Sequence, residues 1–528
     1  MMIARLRRRD GGALSPVICW AAFAALAVGL APSAKARTIE GAKSACVALA
    51  KLSLPNTTIT AAQLVATGNL KLPEQSGGPP NAAGPAPPDT SSLPAFCRVE
   101  ATLRPSADSD IKMEAWLPVS GWNGKFYAAG NSGWAGSIPY RPMVAGIAAH
   151  YATAGTDTGH EGNNGSFIPG HPEKLVDYGY RADHEMTLRA KELVQAFYGG
   201  KPKHSYWVGC SLGGMEALVE ADRYPQDYDG IVAGAPMNPM TMFNAAQMWP
   251  AWLSQKYPDG IIPAAKFALM HDAVVKACAS PIGQRQGFIE DPSACNWDPA
   301  ALLCKSGDAP DCLTAAQVDM AHRFYAGPVN PRTGEAIFPG PPFGTEGDIG
   351  RNGMTNPVGI AIDLYRYAVY QDPDWDYRTM DYDTAITKAR TEVDPLMRAG
   401  TNLNAFFDHG GKLLLHGGWA EWRNGTELRD YYLKVLQNAG PKQAEQLRLF
   451  LISGMGHCGG GNGPNEFDKL GVLDAWVDKG KTPSRLLMSK TLQGKVVRTR
   501  PACAWPAVAK YKGNGDEDQA DSYVCSNP

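Results

Sequence analysis

Apolar residues in this chain come in short runs that alternate with segments of helical period. Runs at 97–103 and 111–119 alternate apolar and polar residues in part, the pattern of strands with one solvated face. Runs at 124–129, 205–208, 231–235, 412–415 and 448–452 are short and mostly apolar, as strands buried on both faces are. Between them, 183–198 places Met186, Leu188, Ala190, Leu193, Val194 and Phe197 on helical spacing, and 215–221, 402–407 and 431–438 also read as helices. Strands alternating with helices predict an α/β fold with a mainly parallel sheet. The alternation breaks between residues 240 and 390, where Trp249, Trp252, Cys278, Cys295, Cys304, Cys312 and many Pro and Gly turns replace it. This predicts a large domain inserted into a core split into 37–239 and 391–528.

The first residues change the compartment. Arg5, Arg7, Arg8 and Arg9 precede an apolar stretch at 17–30, and Ala34-Lys35-Ala36 follows with small residues at the cleavage spacing. Residues 1–36 therefore read as a bacterial-type signal peptide, and the mature chain is expected in a periplasm or outside the cell. The stretch is short for a membrane span, and no later run reaches the roughly 20 apolar residues that one needs. A Pro-, Gly- and Ala-rich stretch at 72–94 reads as an exposed loop. The formal net charge of −2 gives no electrostatic case for nucleic acid or an acidic membrane. Of 11 cysteines, Cys19 lies in the signal, and the even remainder in an exported chain suggests disulfides. None has the Cys-x-x-Cys spacing of a zinc ribbon.

Candidate chemistry centres on Gly209-Cys210-Ser211-Leu212-Gly213-Gly214. A serine between small residues, after a buried strand and before a helix, is the nucleophile-elbow pattern of α/β-hydrolases. The glycines admit the sharp turn, and the helix N-terminus lies beneath the serine. The loop Gly130-Asn131-Ser132-Gly133-Trp134-Ala135-Gly136 follows a strand, where backbone amides for an oxyanion are expected. A base and an acid should follow later strands in the order Ser, acid, His. His457 follows the strand at 448–452, and Glu421 follows the strand at 412–415; Asp408 and Asp430 are the alternative acids. Cys210 and Cys458 flank Ser211 and His457. A disulfide between them would tie the two loops and limit the drift of base from nucleophile.

These features are collinear with the tannase and feruloyl esterase family, which includes mono(2-hydroxyethyl) terephthalate hydrolases, and the chain resembles it over nearly all of its mature length. The resemblance is carried by Thr156-Asp157-Thr158-Gly159-His160, Tyr180-Arg181-Ala182 with His184-Glu185, the Ser211 motif, Arg223-Tyr224-Pro225, Asp229 to Pro236, Asp372-Pro373-Asp374-Trp375-Asp376 and Gly410-Gly411-Lys412-Leu413. It implies an α/β-hydrolase core with a large inserted lid, Ser211 as nucleophile, His457 as base, and oxyanion amides at Leu212 and near Ser132 and Gly133. It implies disulfides Cys46–Cys97, Cys210–Cys458, Cys278–Cys295, Cys304–Cys312 and Cys503–Cys525. It also implies a secreted serine esterase cleaving esters of aromatic acids such as feruloyl, galloyl, chlorogenoyl or phthalate-type esters; Trp134, beside the oxyanion loop, is the candidate pocket residue. The alternatives are an acyltransferase or lactonase using the same triad, or a pseudoenzyme that binds an aromatic ligand.

Two departures stand out. The family pattern has aspartate where this chain, after an extra glycine, has Glu421. The family's lid also carries an aspartate-rich calcium loop. In residues 278–292 those aspartates are replaced by Ala279, Ile282 and Gln286, and Arg285 adds a positive charge. A hard dication needs several anionic oxygens, so no bound metal or other cofactor is expected.

Overall fold

The computed structural model describes residues 39–73, 88–352 and 354–528. The signal-peptide residues and most of the Pro/Gly-rich loop lie outside them. The core is a nine-stranded sheet. Its strands are β1 (Thr57–Val65), β2 (Phe96–Leu103), β3 (Ile111–Pro118), β4 (Lys125–Ala129), β5 (Ala152–Thr156), β6 (His204–Cys210), β7 (Gly230–Gly234), β8 (Lys412–Gly418) and β9 (Leu447–Ile452). Their order across the sheet is β1-β2-β3-β5-β4-β6-β7-β8-β9. The first three strands and β5 pair antiparallel; from β5 through β9 every pairing is parallel.

The parallel part follows the apolar runs. Strands β4, β5 and β7 are buried at every residue, as a sheet covered by helices on both faces requires. Helix α1 (Ala182–Tyr198) buries Met186, Ala190, Leu193, Val194 and Phe197 of the stripe predicted from its period, while Leu188 is only half-buried. Helix α2 (Leu212–Arg223) is buried from Leu212 through Ala221. Strands β1 and β5 carry too few large apolar residues to announce themselves. β1 is half exposed at the sheet edge, while the small residues of β5 are buried because Met143 and Pro139 pack onto its Gly155.

Between β7 and β8 the chain forms a helical insert. It includes α3 (Met240–Lys256), Ala264–Cys278, Ala315–Ala326 and Tyr382–Glu392. Trp249 and Trp252 stack at 4.7 Å, meet Tyr382 edge-on, and donate their indole N–H groups to the carbonyls of Arg323 and Met380. They are the insert's own core. After β9 the chain does not simply complete the parallel sheet: Arg485–Leu492 pairs with Lys495–Cys503, and Val508–Tyr511 with Tyr523–Ser526, as separate antiparallel ribbons. Five disulfides form, with the pairing the resemblance implies.

Candidate active site

Ser211 sits at the end of β6, where the chain turns into α2. Its backbone has φ 65° and ψ −118°, a region that non-glycine residues occupy only when the surroundings enforce it. Two glycines make the turn possible by close approach. A Cβ on Gly209 would lie 2.1 Å from the Gly213 carbonyl oxygen, and one on Gly214 would lie 2.2 Å from that of Gly234. The Ser211 amide donates to the Gly234 carbonyl at 2.9 Å, which fixes the elbow to β7. Leu212 opens α2, so its N–H has no acceptor inside the helix.

The loop after β4 lies against this helix start. The Gly213 amide donates to the Asn131 carbonyl at 2.9 Å. Tyr178 Oη donates to the Gly133 carbonyl at 2.7 Å, and His160 Nε2 bonds the Trp134 carbonyl at 2.9 Å. Burial depresses the His160 imidazole to about 4, so at neutral pH it is the neutral Nε2–H tautomer that donates. The Thr156–His160 motif thus anchors the outgoing end of the loop. Among the described residues the amides of Ser132 and Gly133 have no acceptor in the protein.

Trp134 does not line a pocket. It is fully buried, stacked on Tyr178 at 4.7 Å, with its indole donating to the Ile360 carbonyl at 3.2 Å. The insert covers it. The residue that the insert brings over the loop is Ile360, whose Cδ1 stands 3.3 Å from where a Gly133 Cβ would be.

His457 follows β9, and Glu421 follows β8. The two loops are joined by backbone bonds, Trp419 N–H to the Ile452 carbonyl and Ala420 N–H to the Met455 carbonyl, both 2.9 Å. His457 Nδ1 lies 3.2 Å from Glu421 Oε2. Glu421 is fully buried, and its other oxygen, Oε1, accepts from the Arg423 amide at 3.0 Å and from Arg423 Nε at 2.6 Å. Burial opposes ionisation here, but the Arg423 guanidinium and then His457 outweigh it and hold the carboxyl down to about 2. Asp408 is exposed and takes a hydrogen bond from Gln443, while Asp430 pairs with Arg429. Neither meets His457. The Cys210–Cys458 disulfide, with its Cα atoms 6.0 Å apart, joins the residue before Ser211 to the residue after His457. No hydrogen bond between Ser211 Oγ and His457 is formed among the described residues. Phe243 of α3 stands 6.3 Å, ring to ring, from His457 and meets Phe338 edge-on.

The sequence profile of tannase and feruloyl esterase matches residues 97–526. The chain belongs to the tannase and feruloyl esterase family. An uncharacterized esterase of Xanthomonas campestris pv. campestris is 32% identical, over 92% of each chain. A probable feruloyl esterase B-2 of Aspergillus terreus is 32% identical, over 90% of this chain and 93% of that protein. The crystal structure of feruloyl esterase B from Aspergillus oryzae superposes with a TM-score of 0.81 at 28% identity, covering 92% of this chain and 100% of that one. Family membership and these relatives make ester hydrolysis the chemistry of the fold.

Against the family pattern, Arg423, Ile360 and Phe243 are the residues that sequence reading missed. Arg423 alone left a local signal, a cation two positions from a buried acid. At the positions of the family's calcium-binding aspartates, Ala279, Ile282 and Gln286 offer no carboxylate. Residues Pro281–Gln286 form a short helix capped by Ser280. Ala279 packs with Val274, Val275 and Ile289, and Ile282 is buried. Gln286 accepts from Arg500 at 2.8 Å and donates to Asp518, while Arg285 pairs with Glu517. The nearby carboxylate of Glu290 is taken by the Ser280 amide and hydroxyl. Side-chain cations and hydrogen bonds stand where a hard dication would need free anionic oxygens.

Proposed function

We propose that this chain is an exported serine carboxylic-ester hydrolase acting on esters of aromatic acids. The observation that carries the reading is the strained Ser211 at the start of α2, tethered through Cys210–Cys458 to a histidine whose Nδ1 faces a buried, ionised glutamate. Ser211 Oγ attacks the ester carbonyl while His457 Nε2 takes its proton. Glu421 keeps the Nδ1–H tautomer and stabilises the imidazolium. The amides of Leu212 and of Ser132 or Gly133 hold the oxyanion. His457 then protonates the leaving alcohol, and water, deprotonated by the same imidazole, releases the acid from Ser211.

The printed names of the relatives support an aromatic acyl group, and so do the apolar residues around the reacting centre. Ile360 over the oxyanion loop and Phe243 beside His457 form walls suited to a planar ring. The five disulfides support an oxidising compartment.

A fluorophosphonate should label the protein at Ser211, located by peptide mass mapping. A panel of feruloyl, galloyl, chlorogenoyl and phthalate-type esters should show turnover of at least one class. Absence of the label, or label on another serine, overturns the mechanism; labelling with transfer to an added alcohol and no hydrolysis makes it an acyltransferase. Ile360→Trp should lower kcat/KM for the preferred aromatic ester by about tenfold or more, with the acetyl ester of the same alcohol within about threefold, because the added ring occupies acyl space. Equal losses on both esters would move the acyl wall elsewhere. Because Ala279, Ile282 and Gln286 supply no anionic oxygen where the family has aspartates, excess EDTA should leave the Tm unchanged within about 1 °C and activity unaltered, since removing a tightly bound ion destabilises by kilocalories.

A further inference from the structure

Three carboxyls are buried beneath the nucleophile turn and are not used in the mechanism above: Asp183 on α1, and Glu216 and Glu220 on α2. One of them reaches the oxyanion loop. Glu216 Oε2 accepts the Asn131 amide at 2.9 Å, one residue before Ser132. The other end of the same residue is held by the same helix, through the Gly213 amide on the Asn131 carbonyl at 2.9 Å. The Asn131 side chain adds bonds to the carbonyls of Ser137 and Thr156 at 3.1 and 3.0 Å. There is no slack at this contact. A Cβ on Gly130 would lie 2.7 Å from Gly213 Cα and 3.1 Å from Glu216 Oε2.

We propose that Glu216 is a positioning residue for ester hydrolysis, tying the loop of Ser132 and Gly133 to the helix that begins at Ser211 and Leu212. The oxyanion donors come from two segments far apart in sequence. Their mutual spacing must hold to a fraction of an ångström for both to meet one oxygen. Glu216 stands just over one turn beyond Leu212, so α2 supplies one donor directly and sets the position of the other through Asn131. What the site needs from Glu216 is an acceptor oxygen rather than a charge. Burial pushes its carboxyl well above the ordinary range, with Asp183 adding to the rise, and burial pushes Asp183 itself up to about 8. A neutral amide of the same shape should therefore serve.

This inference rests on the proposal that Ser211 is the nucleophile. The test compares Glu216→Gln, which keeps an acceptor oxygen, with Glu216→Leu, which fills the space without one. Glu216→Gln should keep kcat within about threefold, whereas Glu216→Leu should lower kcat about 10- to 100-fold with KM within about threefold, because oxyanion contacts form in the transition state. Affinity for a boronic-acid analogue of the acyl group, which forms a tetrahedral adduct, should fall in parallel with kcat, and affinity for the product acid should not. If Glu216→Leu does not fold, Glu216→Met carries the same expectation. Wild-type kcat in the acceptor-less variant overturns the assignment. Equal losses in Glu216→Gln and Glu216→Leu that track a lowered Tm also overturn it. Fluorophosphonate labelling separates the two readings. No label on Ser211 in the wild type overturns both, and labelled wild type with fully active Glu216→Leu overturns only the role of Glu216.

Discussion

Glu421→Gln should lower kcat by about 10⁴-fold with the fold intact, an effect expected when the orienting acid of a serine–histidine pair is made neutral. The reason lies in Arg423. Glu421 Oε1 receives two donors, the Arg423 amide and Arg423 Nε. In the glutamine variant the amide oxygen must face those two donors, so the NH₂ group faces His457 Nδ1. The imidazole then accepts at Nδ1 and carries its proton on Nε2, where it cannot take a proton from Ser211. Glu421→Ala is the poorer test, because it leaves the half-buried Arg423 without its carboxylate. Losing one partner of a buried pair costs on the order of 3–5 kcal/mol, which confounds activity with stability. Measured kcat within tenfold of wild type for Glu421→Gln, at unchanged Tm, would remove Glu421 from the mechanism.

The same pair fixes the sign of a pH effect. Glu421 is depressed from the ordinary glutamate value of 4.5 to about 2, with burial opposing and Arg423 and His457 prevailing. A depressed folded-state carboxyl contributes stability above its unfolded pKa and loses it as pH falls toward the folded value. Its contribution is therefore complete above about pH 4.5 and disappears toward about pH 2. Across any assay range above that window Glu421 stays ionised, so the pH dependence of kcat/KM should carry no step from the glutamate. Replacing aspartate with glutamate lengthens the arm by one methylene, and Arg423 removes the freedom that the extra bond would bring. Both carboxylate oxygens are assigned, one to the guanidinium and one to the imidazole.

What the sequence disclosed and what it hid divide by the range of the contact. Ser211 was legible because the spacing of Gly209 and Gly214 is dictated by backbone approach within one turn. Glu421 and His457 were legible because each follows a strand with an unmistakable apolar run. The bond from Asn131 to Glu216, and the seat of Ile360 above Gly133, join segments with no shared period, so nothing in the local pattern announces them. Trp134 misled for the same reason. A tryptophan after a glycine-rich loop reads as a wall of an open site, yet a helix more than two hundred residues onward, at Gly359–Asp363, closes over it. The terminal ribbon gave no clear strand signal because its apolar residues divide between faces: Leu486, Met488 and Ala502 pack into one cluster with Phe450 and Ile452, while Leu487, Val496 and Val497 face solvent.

Cys210→Ala/Cys458→Ala should cost both activity and stability, and the two losses should have different origins. The bridge spans a separation of 248 residues, the longest of the five. On the chain-entropy account a loop of this length stabilises by up to about 5 kcal/mol, less because Cys278–Cys295 and Cys304–Cys312 are nested inside it. A Tm lowered by several degrees is the expected reading. The catalytic loss follows from geometry. Without the bridge, no hydrogen bond among the described residues runs from the His457 loop to the elbow, and a displacement of about 1 Å between nucleophile and base is enough for about 10²-fold in kcat. Both cysteines must be replaced together, since either alone leaves a thiol beside the reacting serine or its base. Should the double variant fail to accumulate, timed reduction of the native protein gives the same information: activity should fall as the Cys210–Cys458 thiols become alkylatable. Full kcat in the bridge-less protein, at a temperature where it remains folded, would show that β8 and β9 alone hold His457 on Ser211.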